Sequence, residues 1–149
     1  GLYTFHCRSF THPAMLAFDA PSREECTAER PRSNIPQQAL ALLNDPVFVE
    51  AARVFAEKLL IHPNKEDLAK INYAFQCALT RQPTKEEVQV MTELLSQQRK
   101  RYQEDEEAAL ALVKTGQKKY NTNLRVSELA AWTSVSRTLL NMYETTARF

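Results

Sequence analysis

The polar side chains that could do chemistry are crowded into residues 18–57. Arginine has a planar guanidinium that pairs with carboxylates through two parallel hydrogen bonds. The mixture of arginines and acids here therefore favours an ion-pair network that ties the N-terminal segment to the helices. The alternative is a pocket for an anionic ligand, such as a sulfated or uronic sugar. The network would contain Arg23, Arg30, Arg32 and Arg53 with Asp19, Glu24, Glu29 and Glu50.

Paired carboxylates in the same region raise the question of hydrolytic chemistry, which needs two acids a few ångströms apart. Helix-capping roles account for Asp45 and Glu25, so these two acids need no catalytic explanation. No Gly-x-Ser-x-Gly motif is present to support a nucleophilic triad. We therefore predict no catalytic residues. The residues left without a capping role, and so kept as a candidate ligand or ion-pair cluster, are Asp19, Arg23, Glu24 and Arg30.

Nitrogen and sulfur donors near the N-terminus could in principle hold zinc. These donors are His6, Cys7, His12 and Cys26, and their spacing matches no standard zinc pattern. Cys-x-x-Cys-His, the motif for covalent haem attachment, is absent. We expect no metal and no cofactor in this chain.

The three cysteines leave one alternative open. Cys77 falls in an apolar helical pattern, which predicts a small buried side chain. Cys7 and Cys26 lie in less regular sequence, where a disulfide between them would form only in an oxidising compartment.

Composition indicates the fold class. The 149 residues include two glycines, and Gly116 is the one inside the chain. Tight hairpin turns depend on glycine, so its scarcity predicts an all-α protein. The net charge of +1 gives no basic face for nucleic acid. No apolar run approaches the roughly 20 residues of a membrane span, so no membrane insertion is expected.

Helix start signals divide the chain into five to six helices that form an irregular bundle behind an extended N-terminal arm, residues 1–20. The length suits a single domain covering residues 1–149, and the start at Gly1 without methionine suggests a fragment of a longer multidomain protein. The polar run 97–107 predicts either a solvated extension of the helix or a break near Asp105, and Gly116 suits a left-handed residue that ends a helix. The predicted caps are Ser22 with Glu25, Asn34, Asp45, Asn64, Thr84 with Glu87, and Ser127.

Apolar periodicity predicts which helix faces are buried. For the helix after Asp45, the expected inward face is Phe48, Ala51, Ala52, Phe55 and Leu59. In residues 99–107, alternating blocks of basic and acidic residues predict a solvated surface.

Short motifs along nearly the whole chain resemble one known family. They are YTF at 3–5, FDAP at 18–21, RE at 23–24, Cys26, Asn34, Pro36, QAL at 38–40, LLNDP at 42–46, FVEAAR at 48–53, AF at 74–75, RQPT at 81–84, ELAAWT at 128–133 and LLN at 139–141. Together they resemble the C-terminal domain of unknown function found in large planctomycete proteins that also carry cytochrome-c-like domains. His6-Cys7 and Met142-Tyr143 depart from the pattern of that family.

This resemblance implies a context rather than an activity, because the family supplies no catalytic residues. It implies a bacterial, extracytoplasmic, multidomain protein in which other domains bind haem. We therefore expect a non-catalytic structural or interaction module whose partners are other domains of the same polypeptide. The rival hypothesis is a carbohydrate- or anion-binding, or hydrolytic, role in a cleft shared with upstream domains.

Overall fold

The protein is all-α, as its low glycine content predicts. The computed structural model describes residues 5, 10–21, 24–29, 33 and 35–146, and within these ranges it contains eight helices and no strand. The helices are α1 (Pro13–Ala17), α2 (Pro36–Asn44), α3 (Pro46–Ile61), α4 (Asp67–Leu79), α5 (Lys85–Glu104), α6 (Glu106–Val113), α7 (Val126–Leu140) and α8 (Tyr143–Thr146).

The number of helices exceeds the predicted five to six for two reasons. The very short helices α1 and α8 have five and four residues, too few for a periodic apolar pattern. Of the two alternatives predicted for residues 97–107, a break at Asp105 is present and separates α5 from α6.

The chain forms two compact units, residues 1–41 and residues 42–149. That the whole chain is a single domain stays a prediction. In the second unit α7 is the central helix, and it packs against α3, α5 and α6. Four consecutive residues of α7 are fully buried, namely Leu129, Ala130, Ala131 and Trp132. A helix surrounded in this way is apolar on nearly all sides, which explains the ELAAW sequence.

Two of the helix caps predicted from sequence are confirmed, at Asp45 and in the Thr84–Glu87 capping box. The Asp45 carboxylate accepts the Val47 N–H at 2.8 Å, with Pro46 in the first turn of α3. Thr84 and Glu87 form the reciprocal capping box at the start of α5. A further cap, which the sequence did not predict, is Asp105, which accepts the Ala108 N–H at 2.8 Å at the start of α6.

Two predicted caps are wrong. Helix α7 begins at Val126, one residue before the expected cap Ser127, and its N-cap residue Arg125 makes no side-chain cap. Asn64 does accept the Glu66 N–H at 3.2 Å, but α4 begins only at Asp67. Asn64 therefore forms a local turn before the helix, and the predicted cap at Asn34 lies outside the described residues.

The N-terminal unit differs from the prediction at two points. The expected extended arm contains helix α1, whose first turn closes when the His12 carbonyl accepts the Met15 and Leu16 N–H groups. The short helix predicted after Ser22 is absent from residues 24–29, which form bends and irregular backbone. Ser22 itself lies outside the described residues.

Cys77 is exposed, so the prediction of a buried thiol is wrong. The buried face of α4 is formed by Lys70, Ile71, Ala74 and Phe75. A residue two positions beyond Phe75 is rotated by about 200° around the helix, away from that face.

Among the described helices, none is long and apolar enough to cross a membrane.

Candidate functional site

Asp19, the first residue of the predicted cluster, holds the backbone of its own unit. Its two carboxylate oxygens accept hydrogen bonds from the Ser33 N–H and the Ser33 hydroxyl, each at 2.7 Å. The Gln38 amide in turn donates to the Ser33 carbonyl at 3.1 Å. Asp19 has a φ of 57°, a left-handed conformation that aspartate tolerates better than most residues. The carboxylate thus ties the FDAP turn to the residues that precede α2.

The other predicted cluster residues give less structural information. Glu24 is exposed, and Arg23 and Arg30 lie outside the described residues. A cluster of all four residues therefore stays a prediction.

The metal and disulfide alternatives concern the same N-terminal region. In the described ranges, no group of three or more His, Cys, Asp or Glu side chains could hold a metal ion. Cys26 is exposed and its thiol is free. His6 and Cys7 lie outside the described residues.

Side chains on a polar face of α3 contact the loop of residues 117–121. Glu50, Arg53 and Glu57 occupy positions i, i+3 and i+7, which lie on one side of a helix. Arg53 is 0% exposed, donating to the Glu57 carboxylate at 2.6 Å and to the Lys118 carbonyl at 2.6 Å. A buried arginine needs such partners because an unpaired buried charge is very unfavourable.

Glu50 holds the same loop from the N-terminal end of α3. Its carboxylate accepts the Gln117 N–H at 2.7 Å and the Lys118 N–H at 3.1 Å. These two backbone donors, with Arg53 nearby, lower the pKa of Glu50 from its ordinary value. The backbone of Gly116 passes so close that a Cβ atom placed there would lie 2.2 Å from a Glu50 oxygen.

Glu57 completes the contact by accepting the Asn121 N–H at 3.3 Å. We call Glu50, Arg53 and Glu57 the α3 clamp, because together they bind the backbone of residues 117–121. The sequence grouped Arg53 with Glu50, whereas the ion-pair partner of Arg53 is Glu57. The i, i+4 spacing of Arg53 and Glu57 was a usable signal. No sequence signal predicted the contacts with the loop, because the loop lies more than 60 residues away along the chain.

Beside the α3 clamp, on the side of α3 away from its buried apolar face, lies an apolar stripe, which we call the α3 seam and define as Val47, Ala51, Val54, Lys58 and Ile61; Val54 is half-buried and the other four residues are exposed. Val47 is 71% exposed and Ile61 is 62% exposed. The seam borders an open groove of about 600 Å³, where the backbone of residues 116–117 forms part of the lining. The α3 clamp therefore fixes one wall of the groove beside the seam.

The predicted inward face of α3 is partly wrong. Ala51 is exposed and Phe48 is 37% exposed, although Ala52 and Leu59 are buried as expected. The buried apolar face runs through Val49, Ala52, Ala56 and Leu59. The helix is rotated from the predicted orientation because the α3 clamp takes a share of the inner surface.

Arg99 links three helices, although the sequence predicted a solvated surface at this position. Its guanidinium donates to Asp67 of α4 at 2.6 Å and to Glu128 of α7 at 2.5 Å. These hydrogen bonds lower the pKa of Asp67 and raise the pKa of Arg99. Glu128 also accepts the indole N–H of Trp132 at 3.0 Å, so the ion pairs extend to the edge of the core.

Arg81 forms a similar link after α4. It pairs with Glu87 of α5 at 2.7 Å and with Glu144 of α8 at 2.8 Å. Mainly because Arg81 donates to its carboxylate, the pKa of Glu87 is lowered from 4.5 to about 2. Like the Arg99 links, these pairs join helices, so we assign them a structural role.

The Arg81–Glu87 pair predicts how stability depends on acid. A carboxylate with a lowered folded-state pKa stabilises the fold above its ordinary pKa, and the contribution is lost as pH falls towards the folded-state value. We expect Arg81→Gln to reduce the fall in unfolding free energy between pH 5 and pH 2, because Glu87 would then titrate nearer 4.5. Urea titrations at several pH values measure this difference.

Arg101→Gln is the matched control, since Arg101 is an exposed arginine that forms no ion pair with the described residues. It should keep the acid dependence of the original chain. An unchanged pH dependence in Arg81→Gln would contradict the assigned role of the pair.

Comparison with known proteins places the chain in a family without assigning an activity. Residues 1–95 match the family described as "PSD1: Protein of unknown function (DUF1553)". The matched part contains Asp19 and all of α3, whereas the loop held by the α3 clamp lies beyond it. No curated protein and no solved structure shows significant similarity to the chain.

Proposed function

The chain belongs to the PSD1 family of proteins of unknown function (DUF1553), and we propose that it is a helical interaction module that docks other domains of its own polypeptide. The observation that carries this proposal is the α3 seam. Four of its five residues are apolar, and the seam lies beside an open groove. Contiguous exposed apolar surface of this kind commonly marks a protein-binding site.

A firm support beneath the seam favours docking over a merely exposed helix. The α3 clamp fixes residues 117–121 on one side, and α7 packs on the inner face of α3. Association loses less free energy to ordering when the binding surface is already rigid. The seam therefore has the properties of a preformed binding surface.

The rival role in carbohydrate or anion chemistry has less support. Both oxygens of Asp19 accept hydrogen bonds from Ser33, so this carboxylate is already engaged in structure. A hydrolytic site also needs two carboxylates facing a concavity. Glu50 is the one acidic side chain that lines the groove beside the α3 seam, and its carboxylate already accepts backbone N–H groups.

We further propose that the larger protein is a bacterial, planctomycete-type envelope or secreted protein with cytochrome-c-like domains. The support is the resemblance of the motifs from FDAP to ELAAWT, together with membership of the family. The sequence of the complete gene tests this context. A product without cytochrome-c-like domains or without an export signal would contradict it.

Val47→Asp in the complete polypeptide tests the docking proposal. A carboxylate in an apolar interface is strongly unfavourable, so the substitution should separate the module from its partner domain. A docked domain stabilises the module, so its loss should speed hydrogen exchange of the buried α7 amides. In the 149-residue chain alone, the same substitution should change the unfolding free energy by less than about 0.5 kcal/mol.

Val90→Asp provides the matched control, because Val90 is 58% exposed and lies on α5, outside the groove. This substitution should leave the hydrogen exchange of the α7 amides unchanged, both in the complete polypeptide and in the 149-residue chain alone. The proposal fails if Val47→Asp has the same effect on exchange in the complete polypeptide and in the chain alone.

A further inference from the structure

The spacing of the α3 seam identifies the shape of its occupant. Its residues recur at intervals of four, three, four and three along α3. This alternation is the spacing at which one helix contacts another along a continuous line, as in coiled coils. The 15 positions from Val47 to Ile61 span about 21 Å, or nearly four turns. The exposed line is thus long enough for a partner helix of similar length.

Small and large side chains alternate at the centre of this line. Ala51 lies between Val47 and Val54, which leaves a shallow depression flanked by two β-branched side chains. Helices pack by inserting side chains of one into depressions of the other. Ala51 therefore provides the position at which a larger apolar residue of the partner would insert.

The charge in the groove identifies the chemistry of the occupant. Glu50 and Lys58 are the two charged side chains that line it. Glu50 accepts two backbone N–H groups, and its charge is offset by the nearby Lys118, since Arg53 is paired with Glu57. Lys58 is exposed and forms no ion pair with any residue that the structure describes. The charge left for a partner to balance is therefore positive.

A second copy of the chain fits this charge poorly in the parallel pairing and in the antiparallel pairing that sets Ala51 opposite Val54. In a parallel pair of seams, each Lys58 would meet the other Lys58, which is repulsive. In an antiparallel pair centred between Ala51 and Val54, Lys58 would approach the N-terminus of the other α3, the positive end of its dipole. The nearby carboxylate of Asp45 is already engaged as the N-cap of α3, where it accepts the Val47 N–H. Lys58 would therefore meet a positive end of a helix rather than an unengaged carboxylate.

We propose that the occupant of the α3 seam is an amphipathic helix whose apolar stripe is flanked by acidic residues. This inference rests on the proposed docking function and adds the chemistry of the partner. The apolar stripe packs on Val47, Ala51 and Val54, and a carboxylate pairs with Lys58. Because the pair forms at the rim of the interface, it acts mainly on selectivity.

Two synthetic 18-residue helical peptides test the proposal on the 149-residue chain. Both carry leucines at alternating intervals of three and four, and the flanking positions are all glutamate in one peptide and all lysine in the other. The glutamate peptide should bind about five-fold more tightly in calorimetric titrations, the scale of a partly exposed ion pair. Lys58→Glu should reverse this preference, whereas Lys100→Glu, on an exposed lysine of α5, should leave it unchanged.

Other outcomes separate this inference from the docking function. Equal binding of both peptides, or equal shifts in Lys58→Glu and Lys100→Glu, would overturn the acidic partner and leave docking intact. Failure of both peptides to bind below about 1 mM, a level of about 4 kcal/mol, would contradict the seam as a helix-binding surface. A dimer in sedimentation analysis that Val54→Asp dissociates would identify a second copy as the occupant and overturn the inference.

Discussion

Replacing Arg53 with alanine is expected to lower the unfolding free energy by about 3–5 kcal/mol, the usual loss when one partner of a buried ion pair is removed. Arg53 is fully buried and donates to both Glu57 and the Lys118 carbonyl. Its removal leaves the mostly buried Glu57 carboxylate without its cation and opens a cavity beneath the loop. Urea denaturation followed by circular dichroism measures the loss.

Lys58→Ala is the control on the same helix, since Lys58 is exposed and should change the unfolding free energy by less than about 0.5 kcal/mol. Amide spectra should also show that Arg53→Ala perturbs residues 117–121 more than Lys58→Ala does. A loss below about 1 kcal/mol in Arg53→Ala would contradict a buried guanidinium that pairs with Glu57.

Gly116→Ala is expected to destabilise the fold by about 2–3 kcal/mol through backbone strain and a steric clash. Gly116 has a φ of 100°, which side-chain-bearing residues rarely adopt. An added Cβ would lie 2.2 Å from the Glu50 oxygen and 2.7 Å from the Glu50 Cβ. Glu50 would have to withdraw, and its hydrogen bonds to Gln117 and Lys118 would be lost. Thermal and urea unfolding measure the effect.

The double variant Glu50→Ala/Gly116→Ala tests the part of the effect that passes through the Glu50 carboxylate. With Glu50 truncated to alanine the clash with the carboxylate disappears, whereas the 2.7 Å approach to the Cβ atom of residue 50 and the backbone strain remain, so the two substitutions should be less than additive. Gln117→Ala keeps its backbone N–H and should change stability by less than about 0.5 kcal/mol. Full additivity of the double variant would contradict the close approach of Gly116 and Glu50.

Local signals in the sequence predicted much of the secondary structure. Asp45-Pro46 and the Thr84–Glu87 box place two helix starts correctly, because each is a set of contacts within a few residues. Ser127 failed as a cap because α7 begins one residue earlier without a side-chain cap. Packing of α7, whose central residues 129–133 are all buried, supplies stability that a lone helix would need from its cap.

The candidate site was much less predictable. The rule that apolar residues face inward would turn Arg53 towards solvent, yet Arg53 is buried and Ala51 is exposed. Its burial depends on the Lys118 carbonyl, 65 residues away along the chain, and no local pattern predicts such a contact. The ion pairs of Arg99 were not predicted for the same reason, because its partners Asp67 and Glu128 lie 32 and 29 residues away along the chain.

Carbene footprinting of α3 tests the central claim, that the α3 seam is a docking surface, most directly. The reagent labels exposed apolar side chains, so the seam should label strongly in the 149-residue chain, where Val47 is 71% exposed. In the complete polypeptide, labelling of residues 46–61 should fall several-fold, and labelling around Val90 should stay the same. Equal labelling of α3 in both proteins would contradict the claim.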